Sequence, residues 1–242
     1  IKALPAVAQI FLIRVKTIYM HLEVAVAKIR KHATPESGDT IEMIERPGGG
    51  LSFVVVDGQQ SGKSAKAISN IVARKAVALL AEGVRDGAVA RAASDYLFTQ
   101  RSGKVSATLN IVSVDLESRS LVLSRNSHCP IVVIKNNEAS LLNESSHPVG
   151  VQRGTKPIIA EIPLTADTTV VIYTDGLLSA GVRSGQPLNV PAIVLELIDH
   201  EERRDTAHTS AQSIADQLLE RAVTADEHRP ADDISILVLS IT

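Results

Sequence analysis

Three runs of aliphatic and β-branched residues, Leu51–Val56, Thr168–Tyr173 and Ile234–Ile241, dominate what this chain can fold into. Each is continuous rather than alternating, which predicts strands covered on both faces. Each also meets an aspartate at one end. Asp57 follows the first run, Asp175 closes the second after Thr174, and Asp232-Asp233 lead into the third. A fold that buries all three runs must say what becomes of those carboxylates, because a buried carboxylate is costly unless something positive or hydrogen-bonding meets it.

The rest of the pattern sorts into blocks. Residues 40–45 alternate as a strand, and Pro47-Gly48-Gly49-Gly50 predicts the turn that makes a hairpin with Leu51–Val56. Residues 61–81 and 86–100 carry helical spacing and are broken at Gly83. Short strands follow over 106–114, 120–125, 131–134, 139–142, 157–162 and 168–173. Helices then cover 191–199 and 207–223, and a last strand covers 234–241. Strands and helices come in runs, not in strict alternation, which points to an α+β fold with mostly antiparallel sheets.

The N-terminal segment reads differently. Val15, Ile18, Tyr19, Leu22, Val26 and Ile29 recur at spacings of three and four, so residues 4–32 read as a basic amphipathic helix. Such a helix would pack on the domain or pair with a second copy, giving a homodimer. The expected division is a helical segment over 1–35 and one domain over 36–242. The first residue is Ile1 and not Met, as in a piece of a longer chain.

Composition removes several classes. A net charge of −2 supplies no general basic field for nucleic acid. Cys129 is the only cysteine, so neither an internal disulfide nor a cysteine zinc cluster can form, in keeping with a reducing, cytoplasmic setting. No apolar run reaches the roughly 18 residues that span a bilayer. Leu4–Val15 is too short and lacks a basic front.

A lone aspartate after a strand is ordinarily a turn former or a helix cap. Four such positions, Asp39, Asp57, Asp175 and Asp232, change the argument: if the strand ends converge, their repulsion calls for a cation. Oxygen-only ligands suit Mg²⁺ or Mn²⁺ rather than zinc. A competing pattern lies at Gly58-Gln59-Gln60-Ser61-Gly62-Lys63-Ser64, which follows a strand and opens a helix as a P-loop does. A P-loop needs four residues between its glycines and this one has three, with Asp57 just ahead to repel a phosphate. Ser61, Gly62 and Lys63 are better read as the start of a helix. His128 reads as a turn residue, and His32, His200, His208 and His228 as surface residues.

Taken in order, Ser37-Gly38-Asp39, Val56-Asp57-Gly58 with Ser61-Gly62, Tyr173-Thr174-Asp175-Gly176 and Asp232-Asp233-Ile234-Ser235 resemble the motifs of the bacterial SpoIIE/RsbU-type branch of the PPM metal-dependent protein phosphatases. Asn126-Ser127-His128-Cys129-Pro130 is similar to that branch's Gly-His-Pro-Pro stretch, and Pro148-Val149-Gly150 to its Pro-Leu-Gly turn. The resemblance runs from about residue 36 to 242. It implies a four-layer α/β/β/α sandwich of two antiparallel sheets, and a serine/threonine phosphatase with two Mg²⁺ or Mn²⁺ ions. It further implies that Asp57 bridges both metals, that Gly58 offers its carbonyl, that Asp175 and Asp232 complete the direct ligands and that Asp39 acts through water. Asp233 is expected to be a hydrogen-bonding neighbour of Asp232. The implied substrate is a phosphorylated regulatory protein, such as an anti-sigma-factor antagonist.

Three departures from the wider family stand out. Gln59 replaces a histidine that eukaryotic relatives use on the leaving group. Their phosphate-gripping arginine would fall near Thr34, leaving Arg30, Lys31 or Lys63 to substitute. Their long flap is missing after residue 142. The rival reading is a non-catalytic signalling module that keeps the fold and binds a partner.

Overall fold

The computed structural model describes residues 7–15, 18–202 and 210–242, with side chains over 20–199 and 210–242. The expectations for residues 4–6, 16, 17 and 207–209, and for the side chains of His200 and His208, lie outside the described residues. The chain divides into two compact units, Ile1–Ala33 with Cys129–Leu142 and Thr165–Thr242, and Thr34–His128 with Asn143–Leu164.

The second unit holds a five-stranded sheet in the order β3-β4-β5-β6-β9. Its strands are β3 (Thr40–Glu45), β4 (Leu51–Gly58), β5 (Ala107–Asp115), β6 (Ser120–Asn126) and β9 (Ile158–Pro163). All neighbours pair antiparallel. Helices α1 (Gly62–Ala81) and α2 (Asp86–Arg101) cover it. Ala65, Ile68, Val72, Ala76 and Leu80 of α1 form one buried stripe at helical spacing. Ile68, Val72, Ala76 and Leu80 pack with Val54 and Val56 of β4 and Leu109 and Ile111 of β5. Apolar burial of this kind is the main favourable term, at about 25 cal/mol per Å².

The first unit holds a six-stranded sheet in the order β1-β2-β11-β10-β7-β8. Its strands are β1 (Val7–Val15), β2 (Ile18–Ile29), β7 (Ile131–Lys135), β8 (Glu138–Leu142), β10 (Thr168–Tyr173) and β11 (Ile234–Ile241), again all antiparallel. Helices α3 (Asp175–Ser179), α4 (Val190–Glu202) and α5 (Ala211–Ala225) belong with it. Ser210 caps α5, its hydroxyl accepting from Ser213 N at 3.1 Å. Ile214, Leu218 and Ala222 of α5 then pack with Ala25, Ala27 and Ile29 of β2 and Ile234, Ile236 and Val238 of β11.

From Thr40 onward the strands and long helices lie where the pattern of apolar residues puts them, and the fold is α+β with two antiparallel sheets. The N-terminal expectation is corrected: β1 and β2 replace the helix over 4–32, and with it goes the helix that would pair two copies. The apolar spacing was ambiguous. A step of four residues is also two strand repeats, so Ile18, Leu22 and Val26 share a strand face as readily as a helix face. Pairing decides the case, because β2 runs beside β11 from Ile29↔Ile234 to Leu22↔Ile241. Helix α3 was not foreseen; it is only one turn. Among the described residues no helix is long and apolar enough to cross a membrane.

Candidate active site

In the second unit the register of the β3–β4 hairpin opposes Thr40 to Val56 as its last pair; Asp39 directly precedes Thr40 and Asp57 directly follows Val56, so both belong to the open end of the hairpin. Asp39 is fully buried and Asp57 is partly buried. Three residues of α1 hold the loop that carries Asp39. Lys66 Nζ donates to the Asp39 carbonyl at 2.6 Å and to Thr40 Oγ1 at 2.9 Å. Ser69 Oγ donates to the Gly38 carbonyl at 2.5 Å, and Thr40 Oγ1 meets Asn70 Oδ1 at 3.1 Å. Sequence reading missed Lys66, Ser69 and Asn70. Their spacing of three and four along a helix was the available signal.

Asp57 is the next-to-last residue of β4, its amide donating to Thr108 Oγ1 at 3.3 Å. Gly58 is required by packing: a Cβ there would lie 2.1 Å from the Ala65 carbonyl oxygen. The first turn of α1 therefore rests directly on the strand end. Gln59 Oε1 accepts from Ser106 N at 2.9 Å, which ties this side chain to the start of β5. Lys63 lies exposed at the start of α1.

In the first unit Asp175 is the first residue of α3, and Thr174 locks it to β11. Thr174 N donates to the Ser235 carbonyl at 3.0 Å, and Thr174 Oγ1 accepts from Ser235 N at 3.0 Å. Gly176 lies so close to the neighbouring chain that a Cβ would sit 2.1 Å from the Asp233 carbonyl oxygen. Asp175 and the Asp232-Asp233 pair are thus held side by side. Asp232 Oδ1 accepts from Asp233 N at 2.9 Å, while Asp233 Oδ1 accepts from Lys31 N at 2.8 Å. The Asp233 carboxylate is buried and braces the end of β2. Burial pushes the Tyr173 phenol well above its ordinary range, and Cys129 adds to the shift.

Other sequence candidates serve architecture. Asn126 Nδ2 donates to the carbonyls of His147 at 2.9 Å and Lys156 at 3.2 Å. Val149 bridges to Ala107, and Gly150 N donates to Ser94 Oγ at 3.1 Å. These two motifs anchor the 143–157 connection. His32, His128 and His228 are exposed. Among the described residues no group of three or more His, Cys, Asp and Glu is gathered as a metal-holding cluster.

Two antiparallel sheets with strand-end aspartates and flanking helices are the fold of the PP2C phosphatases, which the solved structures bear out. The PP2C domain with a regulatory fragment of SpoIIE from Bacillus subtilis is 17% identical with a TM-score of 0.76, covering 96% of this chain and 71% of that one. The RsbU and RsbW domains of a Mycobacterium tuberculosis protein are 20% identical with a TM-score of 0.68, covering 91% and 60%. The catalytic domain of the serine/threonine phosphatase PstP in complex with two manganese ions is 14% identical with a TM-score of 0.70, covering 92% and 99%. At these identities the likeness establishes the fold. The family model described as stage II sporulation protein E (SpoIIE) matches residues 47–242, and the chain belongs to that family. No curated protein matches it.

Proposed function

We propose that this chain is a metal-dependent protein serine/threonine phosphatase. The observation that carries the reading is that aspartates flank the strand ends of each sheet, Asp39 and Asp57 next to the last pair of the β3–β4 hairpin and Asp175 at the turn packed on the Asp232-Asp233 segment, in a chain of the SpoIIE family. Asp57, Asp175 and Asp232 would hold two Mg²⁺ or Mn²⁺ ions, with the Gly58 carbonyl as a further donor. The donor chemistry fits, since carboxylate and carbonyl oxygens suit these hard cations. When bound, such a pair of ions activates water and offsets charge on phosphoryl oxygens.

The chain's own residues do the positioning. Asp39 accepts a hydrogen bond from the attacking water and sets its direction. Its loop cannot swing away, because Lys66 and Ser69 hold the backbone on either side. Water attacks phosphorus as the serine or threonine oxygen leaves, so no covalent phosphoenzyme forms. Gln59 has no titratable proton to give, and the leaving oxygen takes its proton from solvent.

The substrate we propose is a phosphorylated signalling protein of the anti-sigma-factor antagonist class, acting in the cytoplasm. The likeness to the RsbU and RsbW domains supports that choice. A phosphoserine peptide assay with Mn²⁺ tests the activity. Turnover is expected to vanish with chelator and to return with Mn²⁺. Full turnover in metal-free protein would sink the reading, and Mn²⁺ binding without turnover would favour the partner-binding module.

A further inference from the structure

We infer that Asp226 is a positioning residue that ties together the segments leading from Asp175 and into Asp232; the inference rests on the ligand reading above. Asp226 is the C-cap of α5 and is only 6% exposed. Its Oδ1 accepts from Gly181 N at 3.0 Å and its Oδ2 from Ala231 N at 2.9 Å. Gly181 lies just past α3, the single turn that begins with Asp175. Ala231 directly precedes Asp232.

The chemistry explains why a carboxylate is used here. A buried carboxylate is costly to bury unless its oxygens accept hydrogen bonds. Two backbone donors, one per oxygen, satisfy it with charge-assisted bonds. Neither loop has strand or helix pairing of its own at these amides. The 181 loop can present its amide inward because Gly181 has φ 77°, and a Cβ there would lie 2.0 Å from the Gln186 carbonyl oxygen. Helix α5 is the fixed partner, anchored in the core by Ile214, Leu218 and Ala222. Ser184 Oγ also donates to the Ala225 carbonyl at 2.9 Å, and Arg183 Nη2 to the Arg229 carbonyl at 3.1 Å. The first ties the 181 loop to the last residue of α5 and the second joins one loop to the other, whereas Asp226 binds both loops to the helix end. A ligand held by two loops keeps its aim only as well as the loops keep theirs.

The test compares three variants for Mn²⁺ affinity by calorimetry and for melting temperature. Asp226→Asn keeps the volume but turns an NH₂ group toward one of the two amides. It is expected to lose about 10–100-fold in Mn²⁺ affinity and to speed hydrogen exchange at the Gly181 and Ala231 amides. Asp226→Glu keeps both acceptors on a longer stem, and its affinity should fall between the two. It carries the test if the Asn variant does not fold. Val194→Ala thins the buried face of α4 and should lower the melting temperature while binding Mn²⁺ as the parent does. Undiminished affinity in both Asp226 variants would overturn the inference. So would an equal loss in Val194→Ala, which would reduce Asp226 to a general stabiliser. A parent chain that binds no Mn²⁺ would sink the ligand reading itself, and this inference with it.

Discussion

Lys66 and Asp39 are joined through the backbone: the ammonium of Lys66, on the second turn of α1, donates to the Asp39 carbonyl at 2.6 Å. The same group reaches Thr40 Oγ1 at 2.9 Å, so one helical side chain sets both the residue proposed to orient water and the first residue of β3. Lys66→Met keeps the aliphatic stem and removes the donor. A hydrogen bond to a charged group contributes about 1.5–3 kcal/mol, and stability should drop by that order. Turnover should fall further than Mn²⁺ affinity, and Lys66→Arg should recover part of it. Unchanged turnover in the Met variant would separate α1 from the chemistry.

Gly176→Ala places a methyl 2.1 Å from the Asp233 carbonyl oxygen. The strand end must move, at about 1–3 kcal/mol for overpacking, and Asp232 moves with it. Denaturant melts should show the loss, and Mn²⁺ titration should show weakened binding. Gly48→Ala is the control, since a Cβ there meets nothing within 4 Å.

The aspartates should rank by role. Asp57→Asn should cost both metals, Asp232→Asn mainly one, and Asp39→Asn should slow turnover while binding largely survives. Asp233→Asn should be milder than Asp232→Asn for metal, because its carboxylate is committed to Lys31 N at 2.8 Å. Calorimetry and turnover on the four variants side by side check the order. If Asp57→Asn retains both metals, the ligand assignment is wrong.

Truncation separates the two N-terminal strands. Removing residues 1–16 takes away β1 and leaves β2 as the sheet edge. Removing 1–30 strips β11 of its partner from Leu22↔Ile241 to Ile29↔Ile234. It also uncovers the α5 core that Ala25, Ala27 and Ile29 complete. Circular dichroism should find the shorter deletion folded and the longer one unfolded or aggregated.

Alkaline stability should depend on Tyr173. Its folded-state phenol titrates above its ordinary value because it is buried. The resulting stabilisation is fully present below about pH 10, the unfolded value, and is lost as pH rises beyond it. Tyr173→Phe should lose less stability above that pH in denaturant melts.

Asp57, Asp175 and Asp232 were legible because each flanks a long apolar run, and the blocks of strands and helices from residue 40 onward were legible from their repeats. The braces were not. Asp226 reads as an ordinary helix-end residue, and Lys66 as a solvated lysine beside Lys63. Nothing local says that either side chain has backbone partners elsewhere. Asn126 and Gly150 stood out only as parts of family motifs, and their hydrogen bonds anchor the 143–157 connection.

By itself the sequence determined the α+β class, the turn at Pro47–Gly50 and the order of the carboxylates, since these depend on repeats a few residues long. Tertiary structure decided the fate of residues 7–29, whose spacing served helix and strand alike until β11 provided a pairing edge. It also decided that Gly58 and Gly176 are packing requirements and that Asp233 answers to Lys31, a partner 202 residues away. Periodicity reports which face of an element is apolar. Which backbone comes to lie against that face is settled only when distant segments pack, and the hydrogen bonds that position these aspartates form there.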